Sequence, residues 1–204
     1  MGGIRTLVNS RCFLWAALAL PALYMMYGYW RETLVYGEVV HSSGEMSARL
    51  LILTMAATPL CLLFPRAAWP RWLMQRRRYF GVAAFAYALL HASVYIARQA
   101  DLDSIVADAL EVAMWTGWVA FFVMLALAAT SNDGSVRRLR GNWKRLHRWV
   151  YAAALLTFLH WVLSAFDPVP GAIHAAILLA LETCRIVKAR AHLCHAGQAN
   201  NPSS

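Results

Sequence analysis

Three histidines in strongly apolar stretches are the residues of this chain best suited to chemistry. His91 lies in YFGVAAFAYALLHASVYIA, and His147 and His160 lie in WKRLHRWVYAAALLTFLHWVLSAF. Apolar runs of this length are typical of helices that cross a membrane, where an ionisable side chain is costly and marks a functional site. Because neutral imidazole is a common ligand of iron in proteins, the pattern predicts a site with histidine ligands.

His91 and His160 are expected at the same depth in the membrane. Each precedes the outer end of its predicted helix, 79–97 or 146–166, by six residues. Two histidines at one depth, on helices that run in the same direction, can offer axial nitrogens to the iron of one haem. The alternative is that each imidazole only bonds a carbonyl of a neighbouring helix. The matched depth favours iron ligation by both.

His147 does not fit the same haem on an ideal helix. It lies about 20 Å below His160 and about 220° around the helix axis, so a kink or a loop-like start would be needed for both to serve one site. The corresponding level of the other histidine-bearing helix holds Arg77 and Arg78. Guanidinium groups bind phosphate or quinone oxygens and do not replace imidazole on haem iron. We therefore predict a second redox entry site, for flavin mononucleotide or a quinol. The alternatives are that the arginines only contact anionic lipid, or that His147 is itself a haem ligand.

Two further side chains, Arg49 and His174, are candidates near the outer side. Arg49 is positioned to pair with a haem propionate, and the alternative is ordinary snorkelling to the interface. His174 is a reserve ligand, and His41 is expected to be solvated in the first outer loop.

The composition indicates a multi-pass membrane protein. The 204 residues are 60% hydrophobic, include nine tryptophans and have a mean hydropathy of +0.48. Apolar runs bounded by charge, glycine or proline predict an all-α bundle of six transmembrane helices within residues 1–189. The predicted helices are 12–30, 46–64, 79–97, 110–130, 146–166 and 169–189. Residues 190–204 are polar and are expected to form a disordered cytoplasmic tail.

The charge distribution predicts the orientation. All but Arg31, Arg49 and Arg98 of the 19 lysine and arginine residues fall on one side of the predicted bundle, which places both termini in the cytoplasm. All but Asp133 and Glu182 of the ten acidic residues fall on the other side. The net charge of +9 therefore reflects topology and lipid contact, and nothing in it calls for nucleic acid.

The segments SGEMSARLLILTMAATPL, RRRYFGVAAFAYALLHASVY and WKRLHRWVYAAALLTFLHWVLS resemble a known family. They are similar to the haem-binding membrane subunit of the bacterial periplasmic methionine sulfoxide reductase system, within the ferric-reductase-like transmembrane superfamily. The resemblance covers residues 43–166, and His91, His147 and His160 match the family's implicated histidines. It implies a b-type haem, flavin mononucleotide and a location in the bacterial inner membrane.

The resemblance also implies a function. Electrons would pass from the quinone pool or a cytoplasmic flavin reductase to a periplasmic molybdopterin-containing catalytic subunit, so this chain would transfer electrons without holding the final substrate. No G-x-G-x-x-G follows a strand, which agrees with a reductant supplied by another protein. Two alternatives are a stand-alone ferric or quinone reductase and a haem-free transporter or scaffold.

Overall fold

The computed structural model describes residues 10–99 and 102–199, and within these ranges it contains helices and no strands. The described residues form nine successive helices: α1 (Arg11–Trp30), α2 (Tyr36–Leu63), α3 (Ala68–Arg98), α4 (Leu102–Ala109), α5 (Val112–Ala129), α6 (Asp133–Leu139), α7 (Gly141–His147), α8 (Val150–Ser164) and α9 (Val169–Ala199). Helices α1, α2, α3 and α5 and the segment Val169–Arg190 of α9 are long and apolar enough to cross a membrane. The prediction of an all-α membrane protein is therefore confirmed.

The fifth predicted transmembrane helix, 146–166, is divided in the structure. Hydrogen bonds between residues three apart, Trp149 N to Leu146 O (3.0 Å) and Tyr151 N to Arg148 O (3.2 Å), tighten the chain between α7 and α8. Helix α8 keeps 15 residues, or about 22 Å, against the roughly 30 Å of a bilayer core. Five helices thus meet the length of a membrane span in the part of the chain described. The six-span topology with cytoplasmic termini stays a prediction.

Two helices begin well before their apolar runs. Helix α2 starts at Tyr36 rather than at residue 46, and the Glu38 carboxylate accepts a 2.9 Å hydrogen bond from the Val35 backbone N–H, as in half of a capping box. Helix α3 starts at Ala68 rather than at residue 79. Polar and charged residues end an apolar run, but they do not end a helix, so the apolar pattern marks only the membrane-embedded part.

The helices around the candidate site form two closely packed pairs. Helix α2 packs mainly on α3, and α5 packs mainly on α8, while α9 lies against α2 and α8. Ala48 and Ala84 are completely buried, and the Ser47 hydroxyl donates a 2.8 Å hydrogen bond to the Ala84 carbonyl. Small residues and interhelical hydrogen bonds of this kind allow close approach of helices in a membrane. The two pairs enclose a cavity between them.

The hydroxyl of Tyr87 on α3 forms hydrogen bonds with the backbone of α1. The Tyr87 hydroxyl accepts a hydrogen bond from Ala22 N (3.0 Å) and donates one to Leu18 O (2.8 Å), so it sits between two groups that an ideal helix would bond directly. Pro21 lies beside this opening within an unbroken helix. The hydroxyl therefore satisfies backbone groups that the membrane itself cannot bond.

The last helix continues beyond the predicted end of the bundle. Helix α9 runs to Ala199, ten residues past the predicted boundary at residue 189, and residues 200–204 lie outside the described range. The division into a bundle and a disordered tail stays a prediction.

Candidate functional site

His91 is held on α3 with one edge against α2. Its Nδ1 lies 2.9 Å from the carbonyl oxygen of Val40. A Cβ atom built on Gly44 would lie 3.0 Å from that Nδ1, so the glycine leaves the room that the ring occupies. Since a carbonyl only accepts, Nδ1 carries the hydrogen and Nε2 keeps its lone pair.

His160 repeats this arrangement on α8. Its Nδ1 lies 2.7 Å from the carbonyl oxygen of Ala113 on α5 and 3.2 Å from the Ser164 hydroxyl. A Cβ atom on Gly117 would lie only 2.7 Å from Nδ1. Here too the bond to a carbonyl assigns the hydrogen to Nδ1 and leaves Nε2 as the basic nitrogen.

The structure brings His91 and His160 together, as the sequence predicts. Their ring centroids are 6.1 Å apart and their planes are nearly perpendicular, at 85°. Each Nδ1 bonds a neighbouring carbonyl, as the alternative expects, while iron ligation through the other ring nitrogen stays a prediction. Neither Nε2 has a hydrogen-bond partner among the residues the structure describes. A hydrogen-bonded Nδ1–H is the usual support of an imidazole that binds metal through Nε2.

The ring separation fits two axial ligands of one iron. Metal–imidazole bonds are about 2 Å long and the ring centre lies about 1.1 Å beyond the nitrogen, which gives about 6.2 Å between two centres across a metal. No group of three or more His, Cys, Asp or Glu side chains suited to a metal ion occurs in the described ranges. Structural and catalytic zinc sites use at least three protein ligands. A pair of histidines is therefore better suited to a metal whose other ligands come from a macrocycle.

Both rings line a cavity of about 370 Å³. Its walls come from α2, α3, α5 and α8, and they are apolar apart from a few polar groups such as Glu45 and Tyr95. This size and lining are typical of sites for organic cofactors. The closely packed pairs α2–α3 and α5–α8 thus each contribute one histidine to a shared cavity.

His41 differs from its prediction. It is exposed, as expected, but it lies on α2 rather than in a loop and lines the cavity. Its ring is 6.4 Å from that of Trp161, which also contacts the ring of His174 at 5.2 Å. His174 does not line the cavity, and its Nδ1 bonds Pro170 O of its own helix at 2.7 Å. Trp161 thus lies between the cavity and His174, the predicted reserve ligand.

A separate cluster surrounds His147 at the other end of the bundle. The His147 ring stacks on Trp143 at 3.9 Å, and its Nε2 lies 3.2 Å from the Thr130 hydroxyl. Trp143 in turn donates a 2.9 Å hydrogen bond to the Thr130 carbonyl. Burial, followed by the positive charges of Arg77 and Arg78, lowers the pKa of His147 below its ordinary value. The imidazole is therefore neutral near pH 7, as a hydrogen-bonding or proton-accepting group would need to be.

The two arginines of this cluster differ in their contacts. Arg78 forms a 2.6 Å ion pair with Asp133, and this bond, with the charge of Arg78, lowers the pKa of the Asp133 carboxyl. Arg77 contacts the Met74 sulfur at 3.6 Å. Since Asp133 occupies Arg78, Arg77 is the better placed of the two to meet an anionic ligand.

Arg49 is not among the cavity-lining residues. Its guanidinium pairs with Glu45 at 2.6 Å, one turn earlier on α2, and Glu45 does line the cavity. The propionate role of Arg49 stays a prediction, and the structure adds that any such anion would compete with Glu45.

Gly44 and Gly117 are site residues that sequence reasoning missed. Both lie where another helix presents a histidine edge, and both line the cavity. The run HSSGEMSA, with small residues on one side of a helix, was the available signal for Gly44. Gly117 stands between two tryptophan-containing stretches of an apolar helix and carries no comparable signal.

Comparison with known proteins agrees with this geometry. Residues 43–158 match the family model described as "Ferric reductase like transmembrane component". The chain belongs to the ferric reductase-like transmembrane family. The matched range includes His91 and His147, and it ends two residues before His160.

Three relatives of known description are similar over most of the chain, and each is named protein-methionine-sulfoxide reductase heme-binding subunit MsrQ. The protein of Azospira oryzae is 34% identical, covering 86% of this chain and 78% of its own length. That of Yersinia enterocolitica is 31% identical, covering 82% and 88%. That of Xanthomonas axonopodis pv. citri is 36% identical, covering 74% and 69%. The family recognised from the sequence is confirmed, and no solved structure matches the chain.

Proposed function

We propose that this ferric reductase-like chain is a b-type haem subunit for electron transfer across the bacterial inner membrane. Electrons would come from the quinone pool or a cytoplasmic flavin reductase and go to a periplasmic, molybdopterin-containing methionine sulfoxide reductase. The observation that carries the proposal is the facing pair of His91 and His160 in an apolar cavity, each with Nδ1 bonded to a carbonyl. The names of the relatives, which include "heme-binding subunit", support it.

In this proposal His91 and His160 would hold the iron through Nε2, and the largely apolar cavity walls would surround the macrocycle. Bound haem supplies reversible one-electron chemistry at the iron. The backbone carbonyls of Val40 and Ala113 keep both imidazoles in the tautomer that iron ligation requires.

The first experiment tests the ligand pair. The full chain is purified in detergent from haem-replete cells, and its absorption spectrum is compared with those of His91→Ala and His160→Ala. Each substitution is expected to remove the low-spin haem spectrum, because one of the two nitrogens that would bind the iron is lost. His174→Ala is the matched control, since that ring lies outside the cavity and should leave the spectrum intact. A His91→Ala protein with a full low-spin spectrum would contradict the assignment, and absence of a Soret band in the wild type would favour a haem-free transporter.

The second part of the proposal concerns the entry of electrons. The cluster of His147, Thr130 and Trp143 beside Arg77 supports a site for flavin mononucleotide or a quinol. Arg77 would bind the phosphate or quinone oxygen, and neutral His147 would accept or share a proton with the ring. Arg78 would act mainly through its ion pair with Asp133.

The corresponding experiment uses His147→Ala and follows both haem content and its rate of reduction. We expect the haem content to stay at the wild-type level, and reduction by quinol or by a flavin reductase to slow by the roughly 10²–10⁴-fold that a general acid or base contributes. Comparing the two donors decides which one uses the site. Loss of one of two measured haems would instead make His147 an axial ligand and overturn this assignment.

The electron acceptor of the reduced protein distinguishes the proposal from its main alternative. A stand-alone ferric or quinone reductase would reduce its substrate without a protein partner. Stopped-flow oxidation of the reduced protein, with ferric chelates, a quinone and a periplasmic methionine sulfoxide reductase as competing acceptors, distinguishes the two. The proposal requires that the protein partner be the fastest acceptor.

A further inference from the structure

Two glycines stand in equivalent relation to the two histidines. The carbonyl bonded by His91 belongs to Val40, four residues before Gly44, and the one bonded by His160 belongs to Ala113, four residues before Gly117. In an α-helix such a carbonyl also accepts the N–H of the residue four positions later. Each carbonyl also accepts a hydroxyl hydrogen from the residue just before the glycine, Ser43 at 3.1 Å for Val40 and Thr116 at 2.7 Å for Ala113. The imidazole edge approaches the same carbonyl over the glycine, where any other residue would place a Cβ atom.

The available space supports this reading. A Cβ on Gly44 would lie 3.0 Å from Nδ1 and 3.2 Å from Cε1 of His91. A Cβ on Gly117 would lie 2.7 Å and 2.8 Å from the same atoms of His160. Both helices are continuous at these positions and the glycines have no positive φ, so backbone conformation gives no reason for glycine. What the two positions share is the approach of an imidazole edge.

We propose that Gly44 and Gly117 are paired positioning residues, which let each histidine bond a helix carbonyl through Nδ1 and so set the near-perpendicular orientation of the two rings. This inference rests on the proposed haem ligation by His91 and His160. Each glycine acts through a histidine and touches no reacting atom. Gly44 on α2 thereby orients His91 on α3, and Gly117 on α5 orients His160 on α8.

The inference predicts a graded effect. Gly117→Ala forces the larger displacement, because its Cβ would meet the ring at 2.7 Å, while Gly44→Ala needs a shift of only a few tenths of an ångström. Either shift lengthens or breaks the Nδ1–H bond and turns the ring. Loss of such supporting bonds typically weakens metal binding about 10- to 100-fold.

The test uses the full-length protein with its haem, purified in detergent. Gly81→Ala is the matched control, because Gly81 lies within α3 and outside the cavity wall, and a Cβ there would make only an ordinary contact with Thr54 at 3.4 Å. The first readout is the electron paramagnetic resonance spectrum of the ferric low-spin haem, which depends on the angle between the two imidazole planes. The second is the midpoint potential, and the third is the rate of haem loss to a scavenger protein.

We expect the wild type and Gly81→Ala to share a strongly axial low-spin signal. Gly117→Ala should give a changed signal, a higher midpoint potential because the imidazole is less basic, and about 10- to 100-fold faster haem loss. Gly44→Ala should change the same readouts in the same direction, but by smaller amounts than Gly117→Ala. If Gly117→Ala does not fold, Gly44→Ala alone tests the positioning role.

The outcomes are distinct. A wild type without a low-spin, two-histidine haem signal would overturn the proposed function itself. A wild type with that signal, and with Gly44→Ala and Gly117→Ala unchanged in all three readouts, would overturn only the positioning role. Equal changes in Gly81→Ala would also overturn it, since they would trace to helix propensity rather than to contact with the rings.

Discussion

The hydroxyl of Tyr87 should contribute measurably to the attachment of α1. Its two hydrogen bonds, to Ala22 N at 3.0 Å and to Leu18 O at 2.8 Å, are both lost in Tyr87→Phe, while the ring and its packing remain. Interhelical hydrogen bonds in membrane proteins average about 0.6 kcal/mol and reach about 1.7 kcal/mol. Two such bonds together stabilise the bundle by about 1–2 kcal/mol, which is a factor of about 5–30 in the unfolding equilibrium.

The assay is reversible unfolding in mixed micelles, with Tyr24→Phe as the control. Tyr24 lies on α1 with 67% of its surface exposed, so the loss of its hydroxyl should change stability by less than about 0.5 kcal/mol. The haem spectrum of Tyr87→Phe should remain that of the wild type, because no residue of α1 lines the cavity. If Tyr87→Phe unfolds like the control, the helix closes the gap by bonding Ala22 N to Leu18 O itself, and the reasoning is refuted.

Three other perturbations have expected outcomes. Because the pKa of His147 is lowered in the folded protein, the unfolded form takes up the proton first as pH falls through about 6.5, and stability decreases below that pH. Arg77→Gln should raise this pKa, so thermal melts should show a smaller loss between pH 8 and 5.5 than in the wild type; an equal loss would contradict the assigned cause. Arg140 has φ 47° between α6 and α7, so Arg140→Gly should leave stability unchanged or raise it by up to about 1 kcal/mol, and a clear decrease would show that its side chain is needed. The exposed Asp103 should help to steer a basic periplasmic partner, so Asp103→Lys should slow electron delivery and weaken its salt dependence. Unchanged kinetics would show that the acidic residues on the outer side reflect only the topology of the chain. Asp108 is unsuited to that test because it accepts hydrogen bonds from Tyr95 and Gln99.

The membrane class and the histidine pair could be predicted from the sequence by itself. Hydropathy over about 20 residues is a local property, and it marked the membrane-embedded parts of α1, α2, α3, α5 and α9. Counting residues from the outer ends of two apolar runs placed His91 and His160 at one level, and the rings do lie 6.1 Å apart. Rise per residue is constant along a helix, so depth follows from position in the chain.

Only the tertiary structure determined where each helix begins and ends and which of its sides faces the cavity. Helices α2 and α3 extend past their apolar runs because capping and packing, not hydropathy, end a helix. That extension carries His41 and Gly44 out of a predicted loop and onto the cavity wall. The tightened turn at Arg148–Trp149 divides the fifth predicted helix and ends the ideal-helix relation between His147 and His160.

The bonding of each imidazole also depends on the neighbouring helix. Nothing along α3 indicates that Val40 O will receive Nδ1 of His91, and nothing along α8 indicates that Gly117 will leave room for His160. Apolar periodicity records which positions are out of water, but a lipid-facing side and a helix-facing side of a membrane helix are both apolar. Only the packed arrangement of α2 on α3 and of α5 on α8 distinguishes the two, and it alone determines that Nδ1 of each histidine bonds a helix carbonyl.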